Sequence, residues 1–243
     1  MRTLSFAKRT SREILRDPIT LFFGLGFPIV LLILMSAIQA SIPVKLFEIQ
    51  HLTPGITVFG LSFMTLFSAT IISKDRSSSL IQRLYTTPLT PVDFILGYTL
   101  PIIPLSVGQS IICYIAAFFL GLDFTVNIMF AVLLIVPISL LYIGLGLLFG
   151  SVLNDKQVGG ICGALLTNLS AWLSGIWFDL DLVGGTFKTI AYALPFVHAV
   201  EMERAVLNGN FSNILPHLCW VLGYGIVCIV AAVFLFLRQM KKQ

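Results

Sequence analysis

Apolar residues in this 243-residue chain come in long unbroken runs, with little of the polar interleaving a soluble helix or strand would show. Six runs carry no Asp, Glu, Lys or Arg: residues 18–44, 49–73, 94–122, 124–154, 157–178 and 205–237. Charge is costly in hydrocarbon, and a spanning helix needs about 20 mostly apolar residues. The runs therefore predict six transmembrane helices, near 21–40, 55–73, 94–118, 128–150, 158–178 and 217–237. A seventh run, 189–200, has 12 residues. It is too short to cross and suits an interfacial or re-entrant position.

Local signals sharpen the helix starts. Asp17-Pro18, Thr53-Pro54 and Thr90-Pro91 each set a capping side chain before a proline at the first helical position. Asp93 follows Thr90 at capping-box spacing. Pro28, Pro101, Pro104 and Pro137 fall deeper, where a missing N–H bends a helix. Residues 2–16 read as an interfacial helix, with Arg9, Arg12 and Arg16 on one stripe and Leu4, Ala7, Ile14 and Leu15 largely away from it.

Composition agrees with the runs. Only 11% of residues are charged, 57% are hydrophobic, and the mean hydropathy is +0.97. A soluble domain has about 25% charged residues, so this chain cannot cover a globule with polar surface. That excludes a soluble enzyme, a nucleic-acid-binding domain and a disordered chain. The placement of charge adds orientation. Twelve Lys and Arg fall on one side of the six spans and three, Lys45, Lys188 and Arg204, on the other. Both termini are thus predicted to be cytoplasmic. The whole chain reads as one all-α transmembrane domain: an interfacial helix over 1–17, a six-span bundle over 18–237 and a basic tail over 238–243.

Two segments between the spans carry most of the pattern. In the stretch from Lys74 to Asp93, Leu80, Ile81, Leu84 and Tyr85 mark one face of a short helix, and Arg76 and Arg83 share another. Such a helix has no core of its own and needs lipid or a cytosolic partner to pack on. On the opposite side, residues 179–216 form a long connection. Glu201 and Arg204 stand at pairing distance on a helix, and His198 reads as a lone structural histidine.

Catalytic chemistry is sparse. There is no GxxxxGK[ST] loop, GxSxG, HExxH or paired-cysteine motif. The chain is therefore expected to be no enzyme, to hold no metal or cofactor, and to take any energy from outside itself. The four cysteines fall in apolar runs and read as buried small hydrophobes. Gly146 and Gly150, and Gly159 and Gly163, have the GxxxG spacing of close helix packing. Phe59, Phe63 and Phe67 stack on the second span. Thr167, Ser170 and Ser174, with Asn168 and Trp172 beside them, lie on the fifth. Two readings stand for these stripes: a path for an amphipathic substrate, or ordinary helix packing.

Taken in order, these residues resemble the permease subunit of type-2 ATP-binding-cassette (ABC) exporters. The basic helix runs into Arg16-Asp17-Pro18. Ser73-Lys74-Asp75-Arg76 through Leu84-Tyr85-Thr86-Thr87-Pro88-Leu89-Thr90 is similar to that family's cytoplasmic stretch. Ala193-Leu194-Pro195-Phe196 and Glu203-Arg204-Ala205-Val206-Leu207-Asn208-Gly209 are similar to its outer segment. Asp75-Arg76 departs from the Glu-Arg or Arg-Glu pair common there.

The resemblance implies roles. Residues 2–16 would be a connecting helix on the inner leaflet. Residues 76–86 would be a coupling helix, with Arg76, Leu80, Ile81, Arg83, Leu84 and Tyr85 docking on a separate ATPase that binds ATP and Mg. Residues 186–207 would form re-entrant outer helices, with Leu194, Pro195, Glu201 and Arg204 at an outer gate. Two permease chains, identical or paralogous, would pair with two cytosolic ATPases in a bacterial or archaeal plasma membrane. An amphipathic small molecule, drug, antibiotic or lipid would pass between the second and fifth spans of opposing halves. A permease for a lipid-linked glycan, a self-sufficient channel and a membrane-embedded lipid enzyme are the competing readings.

Overall fold

The computed structural model describes residues 2–42, 47–78 and 90–240. Among the described residues every regular element is helical. Helix α1 (Arg2–Leu15) is followed by α2, helical over Pro18–Ser41 with a π-helical stretch at Phe22–Gly26. Then come α3 (Ile49–Ser77), α4 (Pro91–Phe119) and α5 (Asn127–Val152). Helix α6 covers 155–173, with a π-helical middle at Gly159–Leu166. Three short helices follow, α7 (Leu180–Val183), α8 (Gly185–Ala193) and α9 (Pro195–Leu207), before α10 (Ile214–Met240).

Among the described residues, five helical stretches are long and apolar enough to cross a membrane: Pro18–Ser41, Ile49–Ser77, Val92–Phe119, Asn127–Val152 and Phe211–Arg238. They match five of the six runs. The remaining run, read as a span near 158–178, forms α6, which is not among those five. It stops at Leu173, and Gly175 takes a positive φ of 69° that turns the chain. Asp155 and Lys156 at its start and Thr167, Asn168 and Ser170 near its end lower its hydropathy. The outward faces are apolar where the interior is mixed. Ile33, Ile115, Leu133, Val230 and Phe234 are exposed, while Thr57, Ser62, Thr65, Ser106, Gln109 and Ser139 are buried. This is the inverse of a soluble bundle and suits a lipid surround.

Helix α3 is the central post. Nearly every residue from Leu52 to Ser73 is buried, against α2, α4, α5, α6 and α9. Its closest neighbour is α5. A Cβ on Gly146 would stand 2.7 Å from the Thr65 carbonyl, and one on Gly150 would stand 2.9 Å from Ala69 Cα. The Thr65 hydroxyl crosses the seam to donate to the Tyr142 carbonyl at 2.7 Å. The first GxxxG thus does what its spacing predicts. The second does so in part: Gly163 meets Leu66, but a Cβ on Gly159 would meet nothing within 4 Å.

The helix starts also divide. Asp17 accepts from the Ile19 and Thr20 amides, and Thr90 and Asp93 form a full capping box. Pro54 is a correction. It lies inside α3, which begins at Ile49 behind Glu48, and does not mark the helix start. Thr53 turns its hydroxyl back to the Ile49 carbonyl at 2.6 Å and so acts within the helix, leaving it no cap to make. Pro28 follows the π stretch of α2. Having no N–H for the Gly24 carbonyl, it sits where the helix has already widened.

Candidate functional site

Two polar junctions stand at opposite ends of the central post. The first gathers around the last turn of α3. Asp75 is buried there in an otherwise apolar setting and must be paired. Arg9 of α1 forks onto it, with Nη1 to Oδ2 at 2.6 Å and Nη2 to Oδ1 at 2.7 Å. The Tyr98 hydroxyl of α4 donates to Oδ2 at 2.9 Å. Arg9 also pairs with Glu13 at 2.9 Å. The hydrogen bonds to Asp75 raise the Arg9 pKa above its ordinary value, against the pull of burial.

Packing holds this tie in place. The Phe6 ring stands edge-on to Phe94 and Tyr98, with centroids 5.7 and 5.0 Å away. A Cβ on Gly97 would lie 2.0 Å from that ring, so the bare backbone of α4 is the slot that admits it. The Thr3 hydroxyl bonds Asp93, which at the same time caps α4. Arg76, next to Asp75, turns the other way. Its Nη1 donates to the Gly150 and Leu153 carbonyls at 2.7 and 3.1 Å, at the C-terminal end of α5. A cation there satisfies carbonyls that the helix leaves unpaired. The stripe of cations on residues 2–16 was expected to face lipid; Arg9 instead faces protein. Of the residues expected to couple to a partner, Arg76 is seen at this junction. Leu80, Ile81, Arg83, Leu84 and Tyr85 lie outside the described residues.

The second junction is built by α9. Leu194 is extended, Pro195 opens the helix, and ten of its thirteen residues are buried. Arg204 is buried with three partners: Glu201 at 2.9 Å, the Gly175 carbonyl at 3.0 Å and the His51 carbonyl at 3.4 Å. Burial lowers its pKa and Glu201 opposes that. Of the four expected gate residues, Leu194 and Pro195 thus form the break between α8 and α9, and Glu201 and Arg204 form the ion pair. Beside them lies a cavity of 240 Å³ lined by His51, Asp179, Tyr192, Glu201 and Arg204.

Glu203 was not singled out by the sequence. It is wholly buried, accepts from the Tyr114 hydroxyl at 2.8 Å through Oε2, and leaves Oε1 without a hydrogen bond among the described residues. Burial pushes its pKa up to about 8, against the hydrogen bond from Tyr114. Burial therefore favours its protonated form at neutral pH. Its only sequence signal is a Glu on the face opposite the Glu201–Arg204 pair.

His198 is not alone: its Nδ1 lies 2.9 Å from His217 Nδ1, and its Nε2 3.0 Å from the Tyr192 carbonyl. Since the carbonyl only accepts, His198 Nε2 carries the proton and Nδ1 accepts from His217. The partner was hidden because 19 residues separate the two in the chain. Cys219 is exposed, whereas Cys113, Cys162 and Cys228 are buried as expected.

The two stripes read as a path are also placed. Phe59, Phe63 and Phe67 are buried within the chain. Phe63 packs between Phe23 and Phe27, and Phe59 meets Trp177 with centroids 6.0 Å apart. Thr167, Ser170 and Ser174 are buried and donate to the Cys162, Thr167 and Ala171 carbonyls of their own chain segment. Asn168 is exposed, its amide on the Ala164 carbonyl, and Trp172 is exposed on the same helix.

Comparison with known proteins finds one family. The model of the family described as ABC-2 type transporter matches residues 2–208, from α1 to the turn after α9. No curated protein matches the chain.

Proposed function

Because the chain belongs to the ABC-2 type transporter family and is a multi-pass membrane permease, we propose that it is the membrane half of an ATP-driven exporter. It is not itself an enzyme and holds no cofactor. Cytosolic ABC ATPase subunits bind ATP and Mg and do the hydrolysis. A second permease chain completes the pathway, with α6 as the sixth crossing and both termini cytoplasmic. The nineteen residues of α6 give a rise of about 28 Å, close to the hydrocarbon thickness.

The observation that carries the coupling role is how the segment 79–89 is held. It leaves from Ser78 and returns at Thr90. Both points belong to the inner junction: Asp75 is tied to α1 and α4, Arg76 to α5, and Asp93 to α1. A push on that segment by an ATPase is delivered to four helices at once. Leu80, Ile81, Leu84 and Tyr85 are the apolar face offered to the ATPase, with Arg76 and Arg83 flanking it. The central post then carries the motion toward α9, where Leu194, Pro195, Glu201 and Arg204 gate the far side. Such a change moves between two packed arrangements, biased only as far as the ATPase contacts differ between them.

Substrate passes between two chains, near Asn168 and Trp172, which α6 leaves exposed; Phe59, Phe63 and Phe67 back that surface from within the chain. An amphipathic small molecule, drug or lipid fits such a surface. The coupling reading is tested with Leu84→Asp. The variant should reach the membrane but lose ATPase pull-down and stimulated hydrolysis. Unchanged capture and hydrolysis would overturn it. Solute flux from vesicles holding this chain alone, without any ATPase, would replace the exporter by a facilitator.

A further inference from the structure

At the end of the bundle that carries α1, a cavity of 650 Å³ opens between α1 and the adjoining turns of α2 and α3. Its wall holds four cations, Arg9, Arg12, Arg16 and Lys74, and two acids, Glu13 and Asp17. The acids are occupied. Glu13 is paired with Arg9, and Asp17 caps the Ile19 and Thr20 amides and accepts from the Thr20 hydroxyl. Those bonds hold the Asp17 pKa below its ordinary value. Arg9 is likewise committed to Asp75. The side chains of Arg12, Arg16 and Lys74 make no hydrogen bond or ion pair with a described residue. Three cations thus face one cleft with no acid bonded to their side chains among the described residues, Asp17 acting on Lys74 only at a distance, while Phe67 and Ile71 supply an apolar back wall.

We propose that this cleft binds a phosphate-bearing anion, in the membrane the headgroup of an anionic phospholipid, which bridges Arg12, Arg16 and Lys74. The guanidinium pair offers forked donors to phosphate oxygens, and Lys74 adds a point charge from the opposite wall. A lipid fits better than a soluble phosphate because the site is amphipathic. Below the cations lie Phe67 and Ile71, and beside them Ile19 and Phe22 of α2 are exposed, a surface for an acyl chain. The headgroup is a resident ligand, not cargo. It joins α1 to α3 beside the Arg9–Asp75 tie, a second link between the same two helices. This inference does not rest on the transport reading.

The test uses the purified full chain in neutral detergent micelles. Thermal midpoints are titrated with phosphatidylglycerol, with phosphatidylcholine and with soluble glycerol 1-phosphate. The variants are R12Q/R16Q, K74Q and a control, K156Q/R238Q, which removes two cations elsewhere. Phosphatidylglycerol should raise the wild-type midpoint and phosphatidylcholine should not. At about 1 kcal/mol per cation near a lipid surface, R12Q/R16Q should bind phosphatidylglycerol roughly thirty-fold more weakly and K74Q about five-fold. The control should match the wild type. If R12Q/R16Q does not fold, K74Q, at the exposed end of α3, carries the comparison. Glycerol 1-phosphate acting at the same concentrations as the lipid would overturn the lipid assignment. Equal binding by wild type and K74Q, or an equal loss in the control, would overturn the site.

Discussion

The two junctions of α3 solve the problem of buried charge in opposite ways. At the α1 end, Asp75 is saturated with donors: a bidentate arginine and a tyrosine hydroxyl account for its oxygens. At the α9 end, Glu203 has one tyrosine hydroxyl and one bare oxygen, and it survives burial by staying protonated. The difference lies in the partners. Asp75 can reach an arginine that enters from the membrane surface. Glu203 cannot: the arginine beside it in sequence points to the other face and is held by Glu201 and two carbonyls. One junction is a charged tie and the other a neutral plug.

Removing the tie should cost most. Asp75→Ala leaves Tyr98 buried without an acceptor and Arg9 with Glu13 alone, and about 3 kcal/mol of stability is expected to go. A thermal midpoint in micelles measures it, and α1 should become accessible to protease at the same time. A loss no larger than that of a surface variant would show that the tie is ornamental. Next is Arg204→Met at the other end. It strips the Gly175 and His51 carbonyls of their donors and should cost about 2 kcal/mol. The loss is smaller because the freed Glu201 is partly exposed and can take up water.

The plug has its own signature in pH. The Glu203 carboxyl is held above the ordinary carboxylate range, so the folded chain keeps a proton that the unfolded chain releases. Its stabilising contribution is complete below the ordinary carboxylate pKa and is lost as pH rises towards about 8. The thermal midpoint should therefore fall between about pH 5 and 8. The readout is the difference between wild type and Glu203→Gln, which cancels every other titrating group. That variant should remove part of the slope. At neutral pH the same substitution should be the mildest of all, within about 1 kcal/mol, because glutamine has the shape of the protonated acid. A large loss at pH 7 would mean that Glu203 is ionised, and the contrast between the junctions would collapse.

Much of the fold could be read from charge placement. Gaps between charged residues located five helices that cross by length and hydropathy, and capping pairs at Asp17 and Thr90 located two starts to the residue. The readings failed where a contact is distant in sequence. Thr53-Pro54 looks like a helix start because the pair is a local signal, yet the helix extends behind it to Ile49. His198 looked solitary because nothing near it in the chain points to His217. The Arg9–Asp75–Tyr98 set spans three helices, and no spacing rule joins residues that far apart. One hint was available: Asp75 is the only acid between Glu48 and Asp93, and a buried acid must find a cation. Glu203 carries no such hint, since its neutrality depends on burial alone.

The seam between α3 and α5 has a mechanical consequence. With glycine at 146 and 150, the α5 main chain lies directly on the α3 main chain and on the first side-chain atoms of Ser68 and Ile72, so little side-chain bulk is left to shear. The two helices act as a single beam. Any stroke that opens the chain must hinge elsewhere. The two π-helical stretches, Phe22–Gly26 in α2 and Gly159–Leu166 in α6, lie outside that seam, so flexing at either would leave the beam intact.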